Sequence, residues 1–368
     1  MKLSRAAANI LHKQWGSEVV RQYIGAYRQS YFAYAGDETI RQHAASGGVI
    51  TALLEYALDS KRIDGALVCR STVVDGQVVP QFVIATDRPT LMSAQGSKYI
   101  AVNFNRDGLP LMRAFKGRLA VVALPCDLSN LRRLAQHDNA VREKIALTIG
   151  LFCGHNSRPE LTEMVVDELR PTGATLTDYH YRQGHWRGEL EACFDNGQVI
   201  RKPFSSFSDY QNLFYFCQEK CHHCHDHAAY EADISIGDIW SLRMKENPIK
   251  HNAVIVRTEA GTAIFEAALK AGAVLGQAEP IAEICEGQAR SMPFHYNISA
   301  RARAGRKLGM TIKDTVNAPV RWTDLLTART VLKNEMLSRG PQGAKKVARI
   351  PRFILKLKLY VIKGLEII

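Results

Sequence analysis

The sequence predicts an α/β protein: a mostly parallel sheet core with flanking helices, a smaller α+β lobe, and a basic helical C-terminal tail. Three observations carry this expectation. Residues 119–124 and 145–152 are short, wholly apolar runs separated by a helix-like stretch at 128–136, the pattern of strands covered on both faces of a parallel sheet. Beyond residue 170 the texture changes to strand-like segments joined by turn residues such as Asp195-Asn196-Gly197. Charge is also unevenly placed. The formal net charge is +12, and residues 301–368 hold 16 Lys/Arg against four acids, so the rest of the 368-residue chain is neutral.

Taken in order, Ser46-Gly47-Gly48 precedes residues 49–58, where Val49/Ile50, Leu53/Leu54 and Ala57/Leu58 recur at helical spacing and Ser46 is suited to the N-cap. Residues 66–69 read as a strand and 73–86 as a hairpin turning at Asp75-Gly76. The run 119–124 ends in Pro125-Cys126-Asp127. The run 145–152 ends in Cys153-Gly154-His155, after which Pro159 opens a helix over 160–169. Cys126 and Cys153 thus fall just past the carboxyl ends of two buried strands, the edge at which open α/β sheets bind ligands. A hairpin at 189–202, a Cys/His knot at 217–227, strands at 233–236 and 253–257 and a helix at 262–271 follow. The expected divisions are an N-terminal helical extension (1–45), an α/β domain (46–170), a second domain carrying the knot (171–300) and the tail (301–368).

Apolar residues make up 46% of the chain, enough for a sizeable core. No run reaches the roughly 18 apolar residues of a spanning helix, and the first residues lack the apolar stretch of a secretory signal. A cytoplasmic protein is expected. The eight cysteines (69, 126, 153, 193, 217, 221, 224 and 285) are too thinly spread for a disulfide scaffold, yet three crowd into 217–224. In a reducing compartment such crowding reads as metal binding. Cys221 and Cys224 on one turn can hold a single metal ion or two irons of one cluster. Zinc is the rival occupant, with His223, His225 or His227 as further ligands. Cys217-x3-Cys221-x2-Cys224 also fits the cluster motif of radical S-adenosylmethionine enzymes, but too little chain follows it for their barrel. There is no GxGxxG and hence no sign of a Rossmann nucleotide site.

Read in order, the motifs form a series: Ser46-Gly47-Gly48 with the helix after it, Gln95-Gly96-Ser97-Lys98-Tyr99, Leu124-Pro125-Cys126-Asp127, Gly150-Leu151-Phe152-Cys153-Gly154, Cys221-x2-Cys224-x-Asp226, and residues 232–240 around Gly237-Asp238. The series resembles the coenzyme F420 hydrogenase/dehydrogenase beta-subunit family, whose members include 7-hydroxymethyl chlorophyll a reductase, and it covers about residues 40–300. The resemblance implies a [4Fe-4S] cluster, FAD and two-electron reduction of an organic substrate or carrier. It implies Cys126, Cys153, Cys221 and Cys224 as cluster ligands, with Cys217 a spare thiol able to replace one. It also implies Lys98 and Tyr99 near the flavin, where a cation would stabilise the reduced ring and an aromatic could stack on it. Backbone amides at the Ser46-Gly47-Gly48 helix start suit a phosphate or a flavin carbonyl. Asp226, Gly237 and Asp238 are expected to shape the cluster loop.

Many relatives carry an N-terminal cysteine-rich, ferredoxin-like segment, whereas residues 1–45 contain no cysteine. Electrons are therefore expected from a separate redox protein such as a ferredoxin, or from a pyridine nucleotide. In the tail, a helix from Pro351 would align Ile350, Ile354, Leu357, Val361 and Leu365 on one face with Lys345, Arg349, Arg352, Lys356 and Lys363 on another. That composition suits the interface of an anionic membrane, with packing on the protein's own body as the alternative. A peripheral membrane protein with a small-molecule or lipid-linked substrate is expected. Nucleic acid is not, since Phe353 and Tyr360 are the only aromatics of that helix and no reading motif accompanies the charge. The rival function is a zinc-stabilised binding or assembly module docking a partner through the tail.

Overall fold

A computed structural model describes residues 23–185, 187–241, 244–288 and 291–367. Its strands are β1 (Gln29–Ala35), β2 (Gly65–Val74), β3 (Gln77–Ala85), β4 (Leu119–Ala123), β5 (Ile145–Leu151), β6 (Leu176–Gln183), β7 (Glu189–Phe194), β8 (Val199–Pro203), β9 (Ile234–Asp238), β10 (Asn252–Val256) and β11 (Val274–Ala278). The two apolar runs lie at the centre of the large sheet, whose order is β11-β1-β10-β9-β5-β4-β2-β3. Every residue of β4 is buried, and it pairs in parallel with β5, Val122 opposite Ile149. β2 and β9 extend the parallel core on either side. Antiparallel strands finish both edges, β3 against β2 and β10, β1 and β11 beyond β9.

Helices cover both faces, which is why the central strands are apolar throughout rather than alternating. On one face, Leu53 of helix Val49–Asp59 and Phe265 of helix Glu259–Lys270 pack over Ala66, Val122, Ile149 and Ile236. On the other, Leu128 and Leu131 of helix Pro125–His137 pack with Phe104 over Leu67 and Val121. Each such wholly buried leucine or phenylalanine contributes about 1.5–3 kcal/mol.

Three expectations need correction. Residues 29–35, expected in a helical extension, form β1 in the middle of the antiparallel half; residues 1–22 of that extension lie outside the described residues. Phe32, Ala33 and Ala35 are buried there, so the segment completes the core instead of leaving it. Strands β9, β10 and β11 belong to the same large sheet and not to a separate lobe, because Ile234, Ile236 and Val254 join the core of Val49 and Leu53. The smaller unit is the β6-β7-β8 sheet, packed with Leu161, Val165 and Leu169 of helix Pro159–Leu169.

The tail is the third. Helix Arg352–Ile367 inserts Leu355 and Ile362 into the core of that smaller unit, whereas Leu357 and Val361 of the expected apolar face stand 60% and 52% exposed. The helix is apolar on two sides, so spacing alone could not say which side turns inward. Among the described residues no helix is long and apolar enough to cross a membrane.

Candidate functional site

Because β4 and β5 are parallel neighbours, their carboxyl ends deliver Cys126 and Cys153 to one edge of the sheet. Cys126 occupies the first turn of helix Pro125–His137, which starts earlier than its periodicity suggests because proline is favoured there. The chain after β5 then runs alongside the knot. Cys153 N–H donates to the His227 carbonyl at 2.9 Å, Gln218 N–H to the Asn156 carbonyl at 3.0 Å, and Ser157 forms a β-bridge with Cys217. This seam brings Cys221 and Cys224 to Cys153. Asp226 holds the turn that follows, accepting from the Ala229 and Tyr230 amides at 2.7 and 3.2 Å.

The four thiols feel one another. Burial, and then the charge that Cys221, Cys126 and Cys224 carry when ionised, push the Cys153 thiol far up. Cys221 is held below the usual thiol range, first by a hydrogen bond from Cys217 and further by the Asn156 amide, Lys220 and Arg301. Four thiolates so placed repel unless a cationic centre binds them, which is the chemistry of a ligand set. Among the described residues, no three His, Cys, Asp or Glu side chains close to the separation that grips a single ion. The knot's histidines are engaged elsewhere: His223 Nδ1 accepts from Lys313 N–H, His225 Nδ1 meets Thr315 Oγ1 at 3.0 Å, and His227 meets the Cys153 carbonyl and Gln288 Oε1. Cys69, Cys193 and Cys285 lie on β2, β7 and helix Ile281–Gln288, and of these Cys69 lines the same cavity as Cys153.

A cavity of about 310 Å³ lies along the same edge, lined by Ser46, Gly48, Lys98, Tyr99, Cys153 and Asp238 among others. That size is at the lower end of the roughly 300–1,000 Å³ of small-molecule sites. Gly48, not Ser46, is the N-cap of helix Val49–Asp59, in left-handed backbone at φ 79°. The Ser46 hydroxyl instead donates to the His251 carbonyl at 2.7 Å, and Asn252 Oδ1 accepts from Val49 N–H. Serine is displaced because Gly47 presses against β1 and β10, where a Cβ would stand 2.8 Å from the Ala33 oxygen.

The Lys98 ammonium bonds the carbonyls of Ala94, Gln95 and Gly96, and burial lowers its pKa to about 8. Its three donors shape the loop, so its influence on the cavity is through charge and position. Tyr99 packs against Phe204 and Phe207 at 5.3 and 5.8 Å and also lines the cavity. Gln95 Oε1 is buried there without a hydrogen-bond partner. Asp238, expected only to shape the loop, forms an ion pair with buried Arg182, which also bonds the Ala45 carbonyl.

Sequence reasoning missed Arg301, His155 and His295. Arg301 is 1% exposed and donates to the His222 and Cys224 carbonyls, clamping the knot from helix Ile298–Arg306. His295 Nε2 meets the Gly154 carbonyl at 2.7 Å. No local motif marks these residues; the only signal is basic or imidazole side chains amid small residues.

Fold and site together define an α/β protein with thiols and a cavity gathered at one carboxyl edge of its sheet. The chain matches coenzyme F420 hydrogenase/dehydrogenase, beta subunit, in the N-terminal part over residues 30–106 and the C-terminal part over residues 116–280, and it belongs to that family. The coenzyme F420 hydrogenase subunit beta of Methanothermobacter thermautotrophicus is 27% identical over 271 residues, covering 72% of this chain and 88% of the relative. The coenzyme F420-dependent sulfite reductase of Methanocaldococcus jannaschii is 28% identical over 276 residues, covering 70% of this chain and 39% of the relative. A chain of the F420-reducing [NiFe] hydrogenase complex from Methanosarcina barkeri shares the fold, with a TM-score of 0.60 at 23% identity over 80% of this chain and 98% of that one. These relatives are oxidoreductases or subunits of them.

Proposed function

We propose that the chain is an iron–sulfur flavoprotein oxidoreductase in which Cys126, Cys153, Cys221 and Cys224 hold a [4Fe-4S] cluster and the sheet-edge cavity holds FAD. The observation that carries this reading is convergence: Cys153 lines the same cavity as Ser46, Gly48, Lys98 and Tyr99, while the seam along 153–157 ties the Cys221–Cys224 turn to it and the β4–β5 pairing brings Cys126 to the same edge. Separate thiols that influence one another without gripping a single ion suit a multi-iron centre better than zinc, whose Cys ligands lie about 2.3 Å from the metal. The engaged histidines weigh the same way. Gln95 Oε1, buried and unpartnered in the cavity, suits a ring N–H.

When bound, such a cluster moves single electrons and a flavin pairs them for two-electron reduction of an organic substrate. The chain's own groups do the remainder. The Arg301 and Lys220 charges offset thiolate charge, the Lys98 charge favours an anion in the cavity, and Phe152 and Tyr99 limit water at its wall. Cys126 is exposed, whereas Cys153 and Cys224 are half-buried and Cys221 buried, so a redox donor such as a ferredoxin would dock over Cys126. The relatives' names make coenzyme F420 one acceptor to assay. The exposed apolar residues of the C-terminal helix, set in the chain's most basic region, support a position on an anionic membrane surface.

Full-length protein prepared without oxygen tests the reading. It is expected to be brown, to bleach on reduction, to contain iron and sulfide in equal amounts, and to release FAD on heating. Colourless protein holding zinc would overturn it in favour of an assembly module.

A further inference from the structure

A second cavity, about 440 Å³, shares Tyr99, Phe152, Gly154, His155 and Asp238 with the first. Its far wall comes from helix Trp322–Leu337, through Thr327, Ala328 and Val331, and from the C-terminal helix, through Lys356, Tyr360 and Lys363. Those residues lie outside the stretches 30–106 and 116–280 that match the family. The chamber is therefore made by packing this chain's own C-terminal helices on the family core.

The lining has a definite chemistry. The Phe214 and Phe294 rings stack with centroids 4.2 Å apart, and the His155 ring stacks on Phe214 at 4.3 Å, giving the chamber an unsaturated wall. Phe214 takes left-handed backbone at φ 64°, a strained conformation for a non-glycine residue, and contributes its ring to this stack. Beyond the stack sits Arg301, its guanidinium 3.8 Å from the Phe294 centroid. Its Nε and Nη2 bond the knot carbonyls, but Nη1 has no partner, and neither does the buried Thr327 hydroxyl. An unpartnered cationic N–H and an unsatisfied hydroxyl in one lining call for an acidic oxygen. The acids in the lining are Asp209, Asp238 and Glu366. Asp238 is paired with Arg182, and burial pushes Glu366 up to about 8, so the lining as a whole, with Arg187, Arg301, Lys356 and Lys363 against these three acids, is more basic than acidic. Tyr360 lines the chamber although it is 70% exposed, so it stands at the mouth. Outside that mouth the same helix exposes Phe353, Leu357 and Val361.

We propose that this chamber binds the organic substrate, and that the substrate is an acidic amphiphile with an unsaturated body that is taken from a bilayer. The body packs along the wall that Phe214 and Phe294 form, the acidic group meets Arg301 and Thr327, and the apolar remainder leaves past Tyr360 toward Leu357. The assignment rests on the sheet-edge cavity being the flavin site, since the wall shared through Tyr99 and Phe152 is what places the two ligands side by side.

The test uses cis-parinaric acid, a conjugated fatty acid that fluoresces in apolar surroundings, with the full chain. Saturable binding is expected, weakened about tenfold or more by Ala328→Phe, which fills the chamber, and by Lys363→Glu at the mouth, a change that does not depend on repacking the core. No binding, or equal affinity in wild type and Lys363→Glu, overturns the proposal. Presenting the probe in phosphatidylglycerol vesicles distinguishes its source. A transfer rate that rises with vesicle concentration supports uptake by contact with the bilayer, and a rate independent of it overturns that source in favour of a soluble acid. Iron and flavin are measured on the same samples. Full iron and flavin without probe binding defeats the chamber alone, whereas chamber-dependent probe binding without iron or flavin defeats the redox reading alone.

Discussion

At the scale of single residues, position decides which thiols can be ligands. Cys126, Cys153, Cys221 and Cys224 are brought to one sheet edge from three separate segments, while Cys69, Cys193 and Cys285 are held in other elements. Changing any of the first four to Ala should strip most of the iron from anaerobic protein, and changing any of the last three should leave iron content near wild type. Cys217 is the informative control, because its thiol is the first influence holding the Cys221 thiol below the usual range. Full iron in Cys126→Ala together with loss in Cys217→Ala would make Cys217 the fourth ligand. A second prediction concerns protons. Burial raises the Glu366 carboxyl to about 8, against about 4.3 for an unfolded glutamate. Between those values the folded state binds more protons than the unfolded one, so this residue's contribution to stability falls as pH rises toward 8. Glu366→Gln should therefore melt progressively higher than wild type between about pH 5 and pH 8. Parallel melting curves across that range would show the carboxyl to be solvated.

At the scale of elements, the start of helix Val49–Asp59 depends on two glycines for different reasons. Gly47 gives way to the backbone of β1 and the Asn252 amide, whereas Gly48 supplies left-handed backbone and would place a Cβ 2.8 Å from Ile40. Gly48→Ala should cost about 1–3 kcal/mol in urea unfolding and lower flavin content more than iron content. An unchanged midpoint would show that the helix start tolerates a Cβ. Much of this level was legible in the sequence. The apolar runs became β4 and β5, Asp75-Gly76 turns the β2–β3 hairpin, and Pro159 opens its helix. What was not legible depends on the partner across space. β1 escaped notice because its buried residues Phe32, Ala33 and Ala35 do not alternate cleanly. The inward face of the C-terminal helix was misassigned because Leu355 and Ile362 on one side and Leu357 and Val361 on the other give equal apolar spacing. In the site, the thiols and the Gly-Gly start were visible as motifs. Arg301 and the Phe214–Phe294 stack were not, since only the closure of the tail on the family core brings them together.

At the scale of the whole molecule, the C-terminal helix serves two sides at once, and this decides how its outer face can be tested. Removing the tail would uncover Leu213, Tyr215 and Phe216, against which Leu355 and Ile362 pack, so any loss of binding would be confounded by damage to the core. Substitution of the outer face alone avoids that. Phe353, Leu357 and Val361 are 70%, 60% and 52% exposed, and Ser at all three positions leaves Leu355 and Ile362 in place. The neighbouring basic residues, all in the region with an excess of +12, supply attraction to anionic lipid worth about 1 kcal/mol per cation near the surface. An apolar row among cations should thus bind phosphatidylglycerol vesicles through both contributions. Wild type is expected to co-sediment with such vesicles and to be released as salt is raised, since screening shortens the reach of the cations. The triple serine variant should bind at least about tenfold more weakly, a deficit of roughly 1.4 kcal/mol, while melting at the wild-type temperature. Equal sedimentation of the two proteins, or binding that ignores salt, would show that the ridge faces another protein instead of a bilayer.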